Sequence, residues 1–413
     1  MKEFEYRGGE LYCENVALTE IAEKVGTPCF VYSRRALVEA YDDLDQAFSA
    51  VDHLICFAMK SNCNLAVLHL LAERGAGMDI VSQGELFRAL RAGVPANRIV
   101  YSGVGKSDQE IGYAIANDIL SFNVESLPEL ATIDRVAAAI GKTASVSLRI
   151  NPDVESHTHE YTTTGKKETK FGIPYEQAVE TYLRAGEYQN MRIVGIDTHI
   201  GSQITRIEPF VEAYRKIADL FRKLETEGFE LEFVDIGGGM GIRYHDETPL
   251  DTRQFAEAVL PVLEPLGARV ILEPGRLISG NAGVLLTRVI HFKETPVKNF
   301  AVVDAGMNDL LRPSLYGAWH EVQPLRESNV GTVKLDVVGP ICESGDWLAK
   351  DRLLPKLDSG DFLCIFSAGA YGATMSSNYN GRPRAAEVLV EDSKWRVVRR
   401  AETFEDLVRG EEI

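Results

Sequence analysis

The sequence predicts an α/β protein, a closed (β/α)8 TIM-type barrel joined to a C-terminal all-β domain that also takes in the N-terminal segment. Three observations predict it. Between residues 54 and 272 eight short β-rich runs alternate with helical stretches, the pattern of a parallel sheet, and eight such units close into a barrel. Beyond about residue 280 strand-like runs follow one another with few helical patterns between them. The chain of 413 residues also exceeds what one hydrophobic core fills, about 250–300 residues.

The first 27 residues mix short apolar segments with Gly8-Gly9. Thr27-Pro28-Cys29-Phe30-Val31-Tyr32 reads as a β segment, and Ser33 as the N-cap of an amphipathic helix reaching about Ala50. The eight barrel strands are expected at 54–59, 77–81, 99–102, 119–124, 145–150, 193–199, 231–236 and 269–272. Helical patterns fill the intervals at 66–74, 83–92, 107–117, 127–140, 175–185, 209–227 and 252–266. Later strands are expected at 284–292, 300–304, 333–338, 361–365, 386–390 and 395–399. The expected division is therefore a barrel over 28–280 and a β domain built from 1–27 and 281–413.

Charge narrows the functional classes. With 44 Lys and Arg against 61 Asp and Glu, the formal net charge of −17 repels polyanions, so neither nucleic acid nor an anionic membrane is an expected partner. No run approaches the ~20 apolar residues of a membrane span, and the acidic start Met1-Lys2-Glu3-Phe4-Glu5-Tyr6 does not resemble a secretory signal. A cytoplasmic protein is expected. The 6 cysteines form no C-x-x-C pair, which indicates neither a zinc site nor a redox dithiol.

Barrel enzymes keep their chemistry at the C-terminal ends of the strands. Here the first run, Ile55-Cys56-Phe57-Ala58-Met59, ends in Lys60-Ser61-Asn62. His199-Ile200-Gly201-Ser202 follows the sixth run, Gly237-Gly238-Gly239 the seventh and Glu273-Pro274-Gly275-Arg276 the eighth. A lysine in an apolar pocket loses part of its proton affinity and can form a Schiff base. Singly, each motif has a plainer explanation: a strand-end lysine reaching solvent, a core histidine, an ion-paired glutamate, a tight glycine turn. Together they describe pyridoxal 5'-phosphate, with Lys60 as its attachment, the glycines at its phosphate, Glu273 at its ring nitrogen and His199 on its ring face. The glycine run lacks the spacing of a dinucleotide site. His157-Thr158-His159 has no third ligand nearby in sequence, so no metal is expected, and Lys166-Lys167 reads as a solvated charge pair.

These motifs resemble the fold-type III pyridoxal-phosphate decarboxylases. The resemblance covers nearly the whole chain in order and extends to Arg149-Ile150-Asn151-Pro152-Asp153, Thr164-Gly165, Lys170-Phe171-Gly172-Ile173, Arg312-Pro313-Ser314-Leu315-Tyr316, Cys342-Glu343-Ser344-Gly345-Asp346 and Gly369-Ala370-Tyr371-Gly372. Within that family the similarity is to the branch that decarboxylates meso-diaminopimelate to L-lysine and CO2, the last step of lysine biosynthesis. It implies Lys60 as the covalent attachment, His199 stacked on the ring, Ser202 and Gly237, Gly238 and Gly239 at the phosphate, and Glu273 at the pyridinium. Gly275 and Arg276 are implied at the cofactor, Arg276, Arg312, Tyr316 and Glu343 at the substrate, Tyr371 at both, and Cys342 as proton donor. It also implies an obligate homodimer in which Cys342 and Glu343 serve the neighbouring subunit's site.

The chemistry of these side chains agrees with that expectation. Two arginines and a tyrosine suit a distal carboxylate, which guanidinium binds through paired hydrogen bonds, and Glu343 suits a distal ammonium. A thiol, with an ordinary pKa of about 8.5, can donate a proton and regain it near neutral pH. Arg276 could equally contact the cofactor phosphate. Carboxynorspermidine, arginine or ornithine decarboxylation remains the nearer alternative. An amino-acid racemase is a more distant one, and a non-catalytic homologue would be expected to have lost Lys60 or Cys342.

Overall fold

The computed structural model describes residues 2–155, 170–328 and 330–413. His157-Thr158-His159, Thr164-Gly165 and Lys166-Lys167 lie outside the described residues. The chain forms two compact units, one of Tyr41–Ile242 with Thr248–Gly275, the other of Met1–Ala40 with Arg243–Glu247 and Arg276–Ile413.

The first unit is the barrel. Its strands are His53–Ala58, Gly77–Ile80, Ile99–Tyr101, Ser121–Val124, Ala144–Asn151, Met191–Asp197, Phe233–Asp235 and Arg269–Leu272. Each pairs in parallel with the next, and Arg269–Leu272 pairs with His53–Ala58 to close the ring. Strands covered on both faces read as continuous apolar runs, which is why the eight segments were visible in sequence. The intervening helices begin at designed stops: Ser82, Ser107 and Ser126 each accept a backbone N–H three residues on, and Ser107 with Glu110 forms a reciprocal capping box. Register then places polar side chains level with one another. Ala58 is the partner of Asp79, and Asp197 of Asp235.

The second unit is built on a nine-stranded sheet whose main path runs Trp347–Pro355, Thr332–Val338, Asn299–Val303, Gly283–Glu294, Cys29–Ser33, Ala386–Glu391, Lys394–Arg399. Cys29–Ser33 therefore lies inside this sheet, antiparallel to Gly283–Glu294 and parallel to Ala386–Glu391, whereas the expected boundary at 28 put it at the head of the barrel. All five of its residues are buried, and Cys29 and Val31 share a core with Val284, Leu286, Val388 and Val390. A strand needing apolar cover on both faces is as well served by this sheet as by a barrel, so its sequence did not reveal its owner. The N-terminal strands Phe4–Arg7, Glu10–Cys13 and Val16–Ala17 and the helix Leu18–Val25 pack into the same core through Phe4, Leu11, Val16, Leu18 and Ile21. Trp347–Pro355 was not foreseen: Lys350-Asp351 interrupts its apolar pattern where Asp351 turns at φ 55° and the register shifts. Val322–Pro324 is too short to show a period.

Candidate active site

In the barrel, Lys60 lies just beyond the first strand, and its Nζ donates to Asp79 Oδ2 at 2.6 Å. Asp79 is fully buried while the lysine side chain is 36% exposed, so a fixed buried charge holds an amine that a ligand can reach. Opposite motifs are pinned by backbone contacts. Ile204 N–H donates to the Gly239 carbonyl and Gly241 N–H to the Ile204 carbonyl, both at 2.9 Å, which lays the 201–204 segment carrying Ser202 along the glycine run. Gly238 N–H donates to His199 Nδ1 at 3.2 Å. A side chain at 238 would collide with the Glu273 carbonyl, and one at 237 would come within 2.6 Å of the Thr198 carbonyl at φ 67°. The backbone here can approach a ligand only because these residues are glycines.

Burial and the nearby Arg149 and Lys60 hold His199 well below its ordinary pKa, so the ring is neutral and its Nδ1 accepts. Glu273 Oε1 accepts from Ser102 Oγ at 3.3 Å and from Asn123 Nδ2 at 3.2 Å. Burial, then the neighbouring Asp235, Asp79 and Asp197, raise its pKa well above the carboxylate range. Burial likewise pushes Asp235 up to about 7 and Asp197 well above its ordinary value.

In the second unit, Arg276 and Arg312 gather around Tyr244. Arg276 Nη1 donates to Tyr244 Oη at 2.5 Å, and the Arg312 guanidinium stands 4.3 Å from the centre of the Tyr244 ring. The Arg276 guanidinium also lies 4.8 Å from the Tyr371 ring centre. Arg312 Nη1 donates to His320 Nε2 at 2.8 Å, while His320 Nδ1 donates to the Phe366 carbonyl at 2.8 Å. That pairing requires a neutral imidazole, and burial with the adjacent Arg312 lowers the His320 pKa to about 3. Cys342 and Glu343 are exposed on a loop tied down by Asp346, which accepts from Met307 N–H at 2.6 Å and Ile341 N–H at 2.7 Å. Cys342 N–H donates to Asn380 Oδ1 at 2.7 Å, and Ser314 Oγ, two residues before Tyr316, donates to the Gly345 carbonyl at 2.6 Å.

Residues 34–280 match the family described as pyridoxal-dependent decarboxylase, pyridoxal binding domain. The chain belongs to the pyridoxal-dependent decarboxylases. It is 49% identical to diaminopimelate decarboxylase of Neisseria meningitidis serogroup A, over 97% of this chain and 98% of that protein. It is also 49% identical to diaminopimelate decarboxylase of Pseudomonas aeruginosa, over 100% and 99%. The crystal structure of diaminopimelate decarboxylase from Helicobacter pylori, complexed with L-lysine, superimposes with a TM-score of 0.92 at 43% identity, over 95% of this chain and 98% of that one.

The residues present fit the family's cofactor. An amine held at a strand end, a backbone cradle that a Cβ would fill, and a buried carboxyl able to hold or share a proton are the donor set pyridoxal phosphate needs. Of the site residues expected from sequence, Lys60, His199, Ser202, Gly237, Gly238, Gly239, Glu273 and Gly275 belong to the barrel unit, and Arg276, Arg312, Tyr316, Cys342, Glu343 and Tyr371 to the other. Gly275 packs beside Lys60's neighbour: a Cβ there would meet Ser61 Cβ at 3.0 Å.

Asp79, Asn123 and Asp197 inside the barrel, and Tyr244 and His320 beside the arginines, were not expected from the sequence, and Asp235, which heads the motif Asp235-Ile236-Gly237-Gly238-Gly239, was given no role there. For the aspartates a signal existed, an acidic residue inside an otherwise apolar strand run such as Gly77-Met78-Asp79-Ile80. Tyr244 and His320 reach the arginines through loops, and nothing in the linear pattern marks them. The three carboxylates Asp197, Asp235 and Glu273 also lie close enough to hold a metal ion, a grouping the sequence did not suggest.

Proposed function

We propose that the chain is a pyridoxal-phosphate-dependent carboxy-lyase that converts meso-diaminopimelate to L-lysine and CO2, the last step of lysine biosynthesis. The observation that carries this reading is the 49% identity to a diaminopimelate decarboxylase across 97% of the chain, with the lysine, histidine, glycine and glutamate motifs all in place.

When bound, the cofactor supplies an electron sink for the pair released as the Cα–carboxylate bond breaks. The protein's share is binding, orientation and proton handling. Lys60 carries the cofactor and Asp79 positions its amine. Ser202 offers a hydroxyl donor to the phosphate, and Gly237, Gly238, Gly239 and Gly275 leave the backbone room for it to approach, with Arg276 available to phosphate or substrate. Neutral His199 offers a flat, uncharged face to the ring, and Glu273 holds the proton at the ring nitrogen. Arg312 and Tyr316, with Tyr371, take the distal carboxylate, and Glu343 the distal ammonium, so the site reads both charges of a zwitterion. Cys342 gives the proton that Cα receives once CO2 has left.

We further read the active form as a cytoplasmic homodimer with shared sites. Cys342 and Glu343 are exposed in the single chain, and Leu315 and Tyr379, near their tethers Ser314 and Asn380, are each 43% exposed. A proton donor left in water is what a site completed by a second copy would leave on the single chain. Among the described residues no helix is long and apolar enough to cross a membrane.

The test is a substrate panel. Purified protein with pyridoxal phosphate is given meso-diaminopimelate, ornithine, arginine and lysine, and CO2 release is measured. Release from meso-diaminopimelate with L-lysine as product is expected; release from ornithine alone would move the chain to the alternative specificity.

A further inference from the structure

Arg312 opens a short helix, Arg312–Tyr316, which Gly317 ends at φ 62°. The chain then folds back, with Ala318 N–H donating to the Arg312 carbonyl at 3.4 Å, and brings His320 against the guanidinium. His320 is wholly buried, and its backbone is pinned on two sides. Arg352 Nη2 donates to its carbonyl at 2.9 Å. The next residue, Glu321, accepts from Phe366 N–H at 2.9 Å, at the head of the antiparallel pair Val322–Pro324 with Phe362–Ile365. The ring has no room to swing away.

Its tautomer follows from its partners. The Phe366 carbonyl only accepts, so Nδ1 carries the proton; the Arg312 guanidinium only donates, so Nε2 offers a lone pair. Arg312 is therefore gripped by a neutral group. Among the described residues it makes no ion pair: the face of the Tyr244 ring stands 4.3 Å away, and Arg276 nearby is a second cation. Burial holds the Arg312 pKa below its ordinary value. Other buried cations of this chain are treated differently, since Lys106 faces Glu129 at 2.6 Å and Arg149 faces Glu125 at 2.9 Å.

The difference has a chemical consequence. A carboxylate at position 320 would hold Arg312 more tightly, because charge-assisted hydrogen bonds are roughly twice as strong as neutral ones, but it would also neutralise the guanidinium. An imidazole takes one N–H and leaves the charge and the other donors available. A ligand that brings a carboxylate completes the pair, and one that brings none leaves a buried cation uncompensated. We propose that His320 is a positioning and specificity-determining residue, whose neutral ring fixes the Arg312 guanidinium without neutralising it and so reserves that cation for the distal carboxylate of the substrate. This rests on the reading of Arg312 as the partner of that carboxylate.

The test uses a matched pair of ligands. L-Lysine, the product, retains the distal carboxylate, and cadaverine is the same diamine without it. Binding of each to the protein loaded with pyridoxal phosphate is measured by calorimetry, and KM and kcat for meso-diaminopimelate by CO2 release. The natural protein is expected to prefer L-lysine. His320→Glu, which supplies an internal counter-ion, is expected to lower that preference by about tenfold or more and to raise KM by a similar factor, with a smaller effect on kcat. His320→Ala, which frees the guanidinium, is expected to lose preference in the same direction, and His320→Gln, which restores a neutral acceptor, to recover it. Should the Glu variant not fold, the Ala and Gln pair decides. Natural preference in His320→Ala, or failure of Gln to recover it, overturns the proposal. So does a lower kcat and a lower binding stoichiometry at unchanged KM and affinity, the pattern of a ring that serves only to keep the protein folded. A natural protein that binds the two ligands equally is a different result, which removes Arg312 from the carboxylate and this role of His320 with it.

Discussion

His320 shows how much of the substrate side depends on one uncharged ring. Its two nitrogens are committed, one accepting from Arg312 and the other donating to the Phe366 carbonyl, so protonation would remove the acceptor and set a cation against Arg312. With a folded pKa of about 3 against an ordinary value of 6.5, the unfolded chain binds the proton first as pH falls. Stability is therefore full above pH 6.5 and lost progressively toward about 3. His320→Gln keeps an acceptor and a donor but does not titrate. It is expected to reduce the acid-induced loss of unfolding free energy by on the order of 4 kcal/mol, read from denaturant titrations across that window. An unchanged slope would mean that the ring is not buried as a neutral group. Lys60, His199 and Glu273 were legible in sequence because each sits in a motif at a strand end. Asp79, Asn123, Asp197 and Asp235 interrupt apolar runs in the sequence, but a strand buried on both faces gives no alternation to say which polar side chains point inward.

At the scale of elements, the barrel's eight strands and seven helical intervals could be read from apolar runs and serine caps, while pairing partners could not. Cys29–Ser33 is the clearest case, since its five buried residues fit either unit and only register assigns it. The glycine segment after the seventh strand is the element we propose for the cofactor phosphate. Gly238 touches two neighbouring strand ends at once: its N–H donates to His199, and the space where a Cβ would stand is filled by the Glu273 carbonyl. Gly238→Ala is expected to cost about 1–3 kcal/mol of folding stability through overpacking. Because the strain falls on the cradle, it should weaken pyridoxal phosphate affinity at least tenfold. Urea unfolding and cofactor titration measure the two effects, and a variant with natural stability and affinity would show that the close approach is not required.

For the whole molecule, the proposed dimer makes a prediction that no single-chain property makes. If Lys60 and Cys342 of one site come from different copies, Lys60→Ala and Cys342→Ala proteins are each inactive alone, yet a mixed dimer contains one intact site. Random reassociation of equal amounts should restore roughly a quarter of the natural activity. No recovery, with mixed dimers demonstrated by mass, would place both groups in one chain or remove Cys342 from the reaction.

The claim on which everything else rests is that the amine ending the first barrel strand carries the cofactor. Borohydride reduction of the protein loaded with pyridoxal phosphate, followed by peptide mapping, tests it most directly. A single stable adduct is expected on Lys60, in the peptide containing Phe57-Ala58-Met59-Lys60-Ser61-Asn62, and none in the Lys60→Ala protein. An adduct on any other lysine, or no adduct at all, would contradict it.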